Sequence, residues 1–482
     1  MSARLPSAAP AIVWFRDDLR LEDNPALNAA AASGRPLLCL YVHDETAGGS
    51  RPLGGAARWW LHGSLAALDA SLTRTGGGLA ILRGAAAEIV PAIVRETAAE
   101  AVFWNRRYDA PGRETDARLK ATLRDAGVRA ESFNGHLLWE PWTVTSRAGA
   151  PFRVFAAFWR AVRQLGEPPR PEPAPAALRC HAVPESVRAR CVGLGDLALE
   201  PSSPDWAGGL REAWGRGEAA GRARLVEFVD AGLEDYAAAR DRPGESATSR
   251  LSPYLRFGNL SARQVWHAAT AQASGKFLEE LGWREFSYHL LYHHPDLACR
   301  NLQPQFDAMP WRSDGTALRA WQRGLTGYPI VDAGMRELWA TGWMHNRVRM
   351  IAASFLAKHL LIDWREGEAW FWNTLVDADP ANNPASWQWV AGSGTDAAPY
   401  FRIFNPVLQG ERFDPDGRYV RRWVPELAAL PSQTIHQPWA DTGRPLGRTY
   451  PSPIVDHGKA RRRALAAWQA IRVAAAQPPD EL

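Results

Sequence analysis

AIVWF (11–15) and LLCLYV (37–42) are two short, uncharged, β-prone runs, and LAIL (79–82), AVFW (101–104) and RAESF (129–133) follow at similar spacing. Ala- and Arg-rich stretches of helical period separate them. Short strands alternating with helices build a parallel sheet, because a parallel neighbour requires a long crossover and each crossover helix covers one face. The first part of the chain therefore reads as a doubly wound α/β domain, residues 1–135. The segment after its first strand is RDDLRLEDNP (16–25), so the G-x-G-x-x-G turn of a dinucleotide site is absent there, and the main cofactor is not expected in this domain.

Beyond it, EPPRPEPAPAAL (167–178) and further Pro and Gly suggest a connector over 136–215 that crosses the surface without a core of its own. After about 216 the strand signals fade. PIVDAGMRELWATGWMHNRVRMIAASFLAKHLL (329–361) keeps apolar residues three and four apart, and Ser261 with Gln264 forms a capping box, so 216–482 reads as a helical domain. Two or more domains suit 482 residues. Apolar residues at 46% and charged residues at 22%, with no apolar run of eighteen, point to a soluble chain rather than a membrane-spanning one. MSARLPSAAP (1–10) lacks the apolar core of a secretory leader, and a cytoplasmic location is the expectation. A net charge of +4 permits nucleic-acid binding without requiring it. Cys39, Cys180, Cys191 and Cys299 have neither zinc nor disulfide spacing and are expected to be reduced and mostly buried; no metal site is expected. Tryptophan is abundant at 23, mostly after 260, and large aromatics usually serve a core.

Five stretches resemble one family in order and spacing: VWFRDDLRLEDNPAL (13–27), ATSRLSPYLRFGNLS (247–261), ELGWREFSYHL (280–290), GYPIVDAGMRELWATGWMHNRVRM (327–350) and DADPANNPASWQWVAGSGTDAAPYFRIFNP (377–406). On these the chain is identified as a member of the photolyase/cryptochrome family, most similar to bacterial cyclobutane pyrimidine dimer photolyases. The resemblance implies an N-terminal antenna-binding α/β domain and a helical domain that binds FAD and DNA, agreeing with the layout read from pattern alone. It implies light-driven repair by electron transfer from reduced, anionic FAD to the dimer.

Residue by residue, the resemblance implies a flavin cradle of Tyr236, Thr248, Ser249, Arg250, Leu251 and Ser252, with Arg284, Asn346, Arg349, Asp377 and Asp379 around it. Locally, Thr248 and Ser249 read equally well as a helix cap. Asn383 matches the residue facing the reactive ring nitrogen, where a neutral amide helps hold the reduced anion and where cryptochromes often carry Cys or Asp. Helical spacing lets Glu280, Trp283 and Arg284 project together, as it does Asn346 and Met350. By resemblance Trp283 and Trp389 stack on a dimer swung out of the duplex, Glu280 hydrogen-bonds it, and Asn346 and Met350 complete the wall. Trp387, Trp364 and Trp311 match an electron relay to the flavin. Arg240, Arg284, Arg347 and Arg402 match contacts to the DNA backbone, which position without reading sequence.

Asn346 and Met350 stand where a (6-4) photolyase carries two histidines, which disfavours that lesion; His345 beside them is expected to be structural. A cryptochrome photoreceptor is the other alternative, and the short stretch after 406 lacks the long tail many of them carry. NRRYDAPGRE (105–114) and LACRNLQPQFDAMPW (297–311) depart from the best-known folate-binding members. A second chromophore is expected, with methenyltetrahydrofolate preferred over deazaflavin or flavin. The expected partner is DNA, double- or single-stranded, carrying a dimer, bound by a monomer.

Overall fold

The computed structural model describes residues 9–45, 51–271, 275–396, 401–440 and 450–476. The stretch read for a leader therefore lies outside it at residues 1–8, as do residues 397–400 of the last family segment. The chain divides into two compact units, each drawn from three stretches. The first comprises 1–151, 159–234 and 249–295, and the second 152–158, 235–248 and 296–482.

The first unit is built on the expected sheet. Strands β1 (Ala11–Phe15), β2 (Leu37–His43), β3 (Leu79–Arg83), β4 (Ala101–Asn105) and β5 (Arg129–Phe133) are all parallel in the order β3-β2-β1-β4-β5. Helices α1 (Pro25–Ala32), α2 (Gly55–Arg74), α3 (Ala86–Thr97) and α4 (Ala110–Asp125) supply the crossovers. β1 is buried along its whole length, since Ala11 pairs with Leu37 on one side and with Ala101 on the other. That two-sided burial is why its sequence is a continuous apolar run without alternation. Asn24 and Asp109 start α1 and α4 by accepting from Leu27 N and Gly112 N, each ahead of a proline that costs the first turn no hydrogen bond.

The connector runs mostly exposed, as its prolines suggested, but it is also tied to the sheet. His181 N donates to Leu37 O and Leu37 N to Arg179 O, Val192 N donates to Ile81 O, and Val187, Leu197 and Leu199 are buried. Extended backbone with few N–H groups can lie along a sheet margin and offer carbonyls while its occasional apolar residues fill the core. The cysteines also differ from expectation: Cys39 alone is buried, Cys180 and Cys191 are half-buried and Cys299 is exposed, all with free thiols.

Residues 249–295 complete the first unit. Asn259 Oδ1 accepts from Trp60 Nε1 and Ser64 Oγ, and Gly258 O accepts from Arg20 Nη1. Gly258 has φ +62°, and a Cβ there would lie 2.2 Å from Asp17 O, so only glycine fits. The Ser261–Gln264 capping box is present in full and opens helix Ala262–Thr270. Helix Gly275–His293 follows.

The second unit is helical. The 329–361 run forms helix Pro329–Thr341, a left-handed Gly342, helix Asn346–Ser354 and a π-helical turn Phe355–Leu360. Helices Trp364–Thr374 and Asn382–Ala391 cross closely where Gly367 lets the Trp387 ring in. No described helix is long and apolar enough to cross a membrane.

Candidate functional site

The second unit brings four of the expected flavin residues close together: Arg349, Asp377, Asp379 and Asn383. Arg349 Nη2 donates to Asp377 Oδ2 at 2.9 Å and its Nε to Met344 O at 2.7 Å, which fixes the guanidinium. Asp377 Oδ1 is buried with no hydrogen-bond partner. A carboxylate oxygen stripped of water and given no donor is costly, and it is the kind of group that an N–H-bearing ligand satisfies. Asp379 Oδ1 accepts from Ala381 N, Asn382 N and Asn382 Nδ2, which ties the carboxylate to the start of helix Asn382–Ala391, next to Asn383.

Asn383 is buried, and its Nδ2 donates to both Glu368 O (3.1 Å) and Glu368 Oε1 (2.7 Å). Two acceptors on one side decide the orientation of the amide, because the reversed amide would set oxygen against oxygen. Both N–H groups are thus engaged by Glu368, and the carbonyl is what Asn383 offers to a ligand. Glu368 was not singled out from sequence. It lies on another helix, and nothing in GEAWFW (367–372) marks it from a surface glutamate.

Trp387 is buried, in edge contact with Trp321 (ring centroids 6.2 Å) and Phe371 (5.0 Å). Trp389, two residues on, is half-buried. Trp364 is fully buried with its Nε1 on Asn301 Oδ1 at 2.9 Å, while Trp311 packs half-buried against the cluster of Phe306, Met309 and Phe401. Trp321, in edge contact with Trp387, is part of this aromatic centre. On helix Asn346–Ser354, Asn346 is exposed and Met350 half-buried. His345 caps that helix, its Nδ1 accepting from Arg347 N, and burial pushes the imidazole down to about 4.

Tyr236 opens the short helix Tyr236–Ala239 and is buried under Arg240, whose guanidinium lies 5.4 Å from the ring centre. Thr248 is half-buried. Arg347 binds Asp241 and lies over Phe413, and Arg402 is exposed beside Phe404.

In the first unit, Ser249 O accepts from Arg224 Nε and Ser249 Oγ accepts from Leu251 N. Arg250 sits at φ 53° with its guanidinium 4.2 Å over Trp214, Leu251 is buried, and Ser252, at the start of the five-residue helix Ser252–Arg256, is exposed. Glu280 is partly exposed and 3.7 Å from Lys276 Nζ; Trp283 is half-buried in edge contact with Phe286.

Arg284 departs from expectation. It is 9% exposed, and its Nη groups are held by Glu285 Oε1 (2.8 Å), His136 Nε2 (2.8 Å) and His136 O (3.1 Å). Glu285 in turn accepts from Leu138 N and Trp139 N. An arginine so placed braces helix Gly275–His293 against 136–139 and does not present itself to a phosphate. Burial raises Glu285 to about 7 against the pull of Arg284. Glu280, one turn earlier on the same helix, is partly exposed, whereas Arg284 turns into the interior.

The same unit has a cavity of about 90 Å³ at the carboxyl ends of β1, β2 and β4, lined by Asp17, Tyr41, His43, Arg107 and Arg256 among others. This is the topological switch point of the sheet, where open α/β sheets accept ligands. Burial would raise Asp17, but Arg256 and Arg107 hold it below the usual carboxylate range. Among the described residues no cluster of His, Cys, Asp or Glu could hold a metal.

Comparison with known proteins agrees with this layout. Residues 11–176 match the DNA photolyase family and residues 277–470 match the FAD binding domain of DNA photolyase. The chain is 52% identical to the deoxyribodipyrimidine photo-lyase of Agrobacterium fabrum, over 96% of this chain and 98% of that one. It is 40% identical to cryptochrome-1 of Arabidopsis thaliana, over 94% of this chain and 70% of the plant protein. The crystal structure of a bacterial class III photolyase from Agrobacterium tumefaciens superposes with a TM-score of 0.93 at 50% identity, covering 98% of this chain and 99% of that one. With an α/β sheet ahead of a helical flavin-type centre and 52% identity to a photo-lyase over nearly its full length, the chain belongs to the DNA photolyase family.

Proposed function

We propose that the protein is a deoxyribodipyrimidine photo-lyase that repairs cyclobutane pyrimidine dimers in DNA with light, using FAD held in its reduced, anionic form. The observation that carries this reading is the Asn383 amide, clamped by Glu368 so that its carbonyl is the free group. A reduced flavin bears a hydrogen on the ring nitrogen that an oxidised one lacks, so an acceptor fixed in advance favours the reduced state. The unpartnered Asp377 Oδ1 next to Arg349 fits the same ligand. Bound and reduced, FAD supplies the light-absorbing electron donor. The chain's own residues hold and orient: Arg349 and Asp377 against the ring, and Tyr236, Thr248 and Ser249–Ser252 on the phosphates and ribose. Glu280 and Trp283 in the first unit, and Asn346, Met350 and Trp389 in the second, are each assigned to the dimer by the family resemblance. Glu280 directs a hydrogen bond, and the two tryptophans supply stacking faces and exclude water.

Trp387, Trp364 and Trp311 are assigned to electron supply, and Arg240, Arg347 and Arg402 to backbone phosphates. The functional division is 1–135 for the antenna, 136–215 as connector and 216–482 for flavin and DNA. A second chromophore, with methenyltetrahydrofolate favoured, completes the protein, which acts as a monomer in the cytoplasm on double- or single-stranded DNA. Illumination of the reduced protein with an oligonucleotide carrying one thymine dimer should restore the two thymines, with little conversion in the dark. Light-independent or absent conversion sinks the enzyme reading. Conversion of a (6-4) product instead would overturn the assignment of Asn346 and Met350.

A further inference from the structure

Asp241 lies where two of the arginines assigned to DNA phosphates meet. Its Oδ2 accepts from Arg347 Nη2 at 2.7 Å, and its Oδ1 is 3.8 Å from Arg240 Nε. The arginines come from separate segments. Arg240 closes the short helix Tyr236–Ala239, whereas Arg347 belongs to the first turn of helix Asn346–Ser354, one residue from Asn346 in the expected dimer wall. The Arg347 guanidinium also lies 4.5 Å from the Phe413 ring centre, and its backbone N–H is held by His345 Nδ1. Side-chain exposure is 18% for Arg347, 14% for Arg240 and 34% for Asp241, so the carboxylate is the most open member of the group.

One carboxylate shared by two cations does two things. It cancels part of their charge, and it fixes where their remaining N–H groups point. These effects fall differently on different DNA. Loose association with undamaged duplex is driven by counterion release and depends on charge with little regard to direction. A complex in which a dimer has left the stack holds the backbone in one place, and there the direction of each phosphate contact counts. Discrimination between the two is a difference of affinities, and a built-in repulsive element against the unwanted partner enlarges it.

We propose that Asp241 is a specificity-determining residue, an internal counter-anion that weakens binding to undamaged DNA while positioning Arg240 and Arg347 for the backbone beside a flipped dimer. The inference rests on the repair reading above. It is tested by binding of the flavin-loaded protein in the dark to fluorescent duplexes with and without one dimer, across a salt series. Asp241→Asn should bind undamaged duplex roughly three- to tenfold more tightly at low salt, with a log–log salt slope steeper by about one ion. Its affinity for the dimer duplex should change less than about twofold, because the positive charge gained offsets the positioning lost, so discrimination falls. Unchanged discrimination, or equal weakening on both duplexes, overturns the proposal. Asp241→Glu keeps the charge but moves it, and provides the test should the asparagine variant fold poorly. It should leave undamaged binding near wild type and weaken dimer binding; a gain on undamaged DNA contradicts the counter-anion role. Arg347→Gln separates the two levels. If it leaves dimer binding untouched, the phosphate assignment of Arg347 fails; if it weakens dimer binding while both Asp241 variants behave as wild type, only the counter-anion fails.

Discussion

Asn383 shows how one residue type is given a direction by its surroundings. Amide chemistry permits either end to face a ligand, and the choice is made by Glu368, which offers a backbone carbonyl and a carboxylate to the same nitrogen. Glu368→Ala should leave a buried N–H without an acceptor and cost about 1–3 kcal/mol in stability. Glu368→Gln should cost less than half as much, since its amide oxygen still accepts. Thermal unfolding of the two variants, with flavin content measured alongside, decides this; equal losses would mean that Glu368 matters only for packing. Sequence reading singled out Asn383, Arg349 and Asp377 because they sit in family segments of fixed spacing. It missed Glu368, whose hydrogen bond crosses between helices, and it aimed Arg284 outward because spacing gives a face but not what that face is buried against.

At the scale of elements, the crossing of helices Trp364–Thr374 and Asn382–Ala391 depends on a missing side chain. A Cβ at Gly367 would lie 2.1 Å from the Trp387 ring and 2.5 Å from Leu356 Cδ2. Both neighbours are buried, and Trp387 is already enclosed by Trp321 and Phe371. Gly367→Ala should therefore push Trp387 aside and destabilise by about 1–3 kcal/mol, the usual cost of overpacking. If Trp387 feeds electrons to the flavin, photoreduction should slow in the surviving fold. Stability and photoreduction both at wild-type level would show that the crossing has slack. The five strands, the helical second half and the Ser261 capping box were legible because each obeys local rules of period and cap. The connector's backbone bonds to the sheet were not, since proline content says what a segment cannot do inside an element and nothing of what it lies against.

Over the whole molecule, global stability carries a pH signature from Lys358. This lysine is 4% exposed, with its Nζ on Arg402 O at 2.5 Å and 4.3 Å from the Phe401 ring centre, and burial pushes it down to about 7. Folding therefore releases a proton from an amine that stays charged in the unfolded chain to ~10.5. The associated stability is present above that value and is lost as pH falls through about 7. Lys358→Met should raise the unfolding temperature most below pH 7, by an amount equivalent to about 1–4 kcal/mol, and hardly at all near pH 10. A constant difference at both pH values would assign the effect to packing alone.

The first unit has a further property that follows from the order in which its parts occur. Its five strands end at Phe133, yet Gly258 O and Asn259, which satisfy Arg20, Trp60 and Ser64, belong to a stretch that begins at residue 249. A ribosome adding about 5–20 residues per second needs on the order of 6–25 s to make the intervening chain. During that interval the nascent sheet carries an open indole N–H and a guanidinium short of one acceptor, since Glu22 O, Asp23 O and Gly135 O leave Arg20 Nη1 unserved. Slow codons or a translational pause ahead of residue 249 should thus lengthen the life of an incomplete, aggregation-prone domain. Expression yield of this protein is then expected to depend on the speed of synthesis between residues 133 and 259 more than on the speed after it.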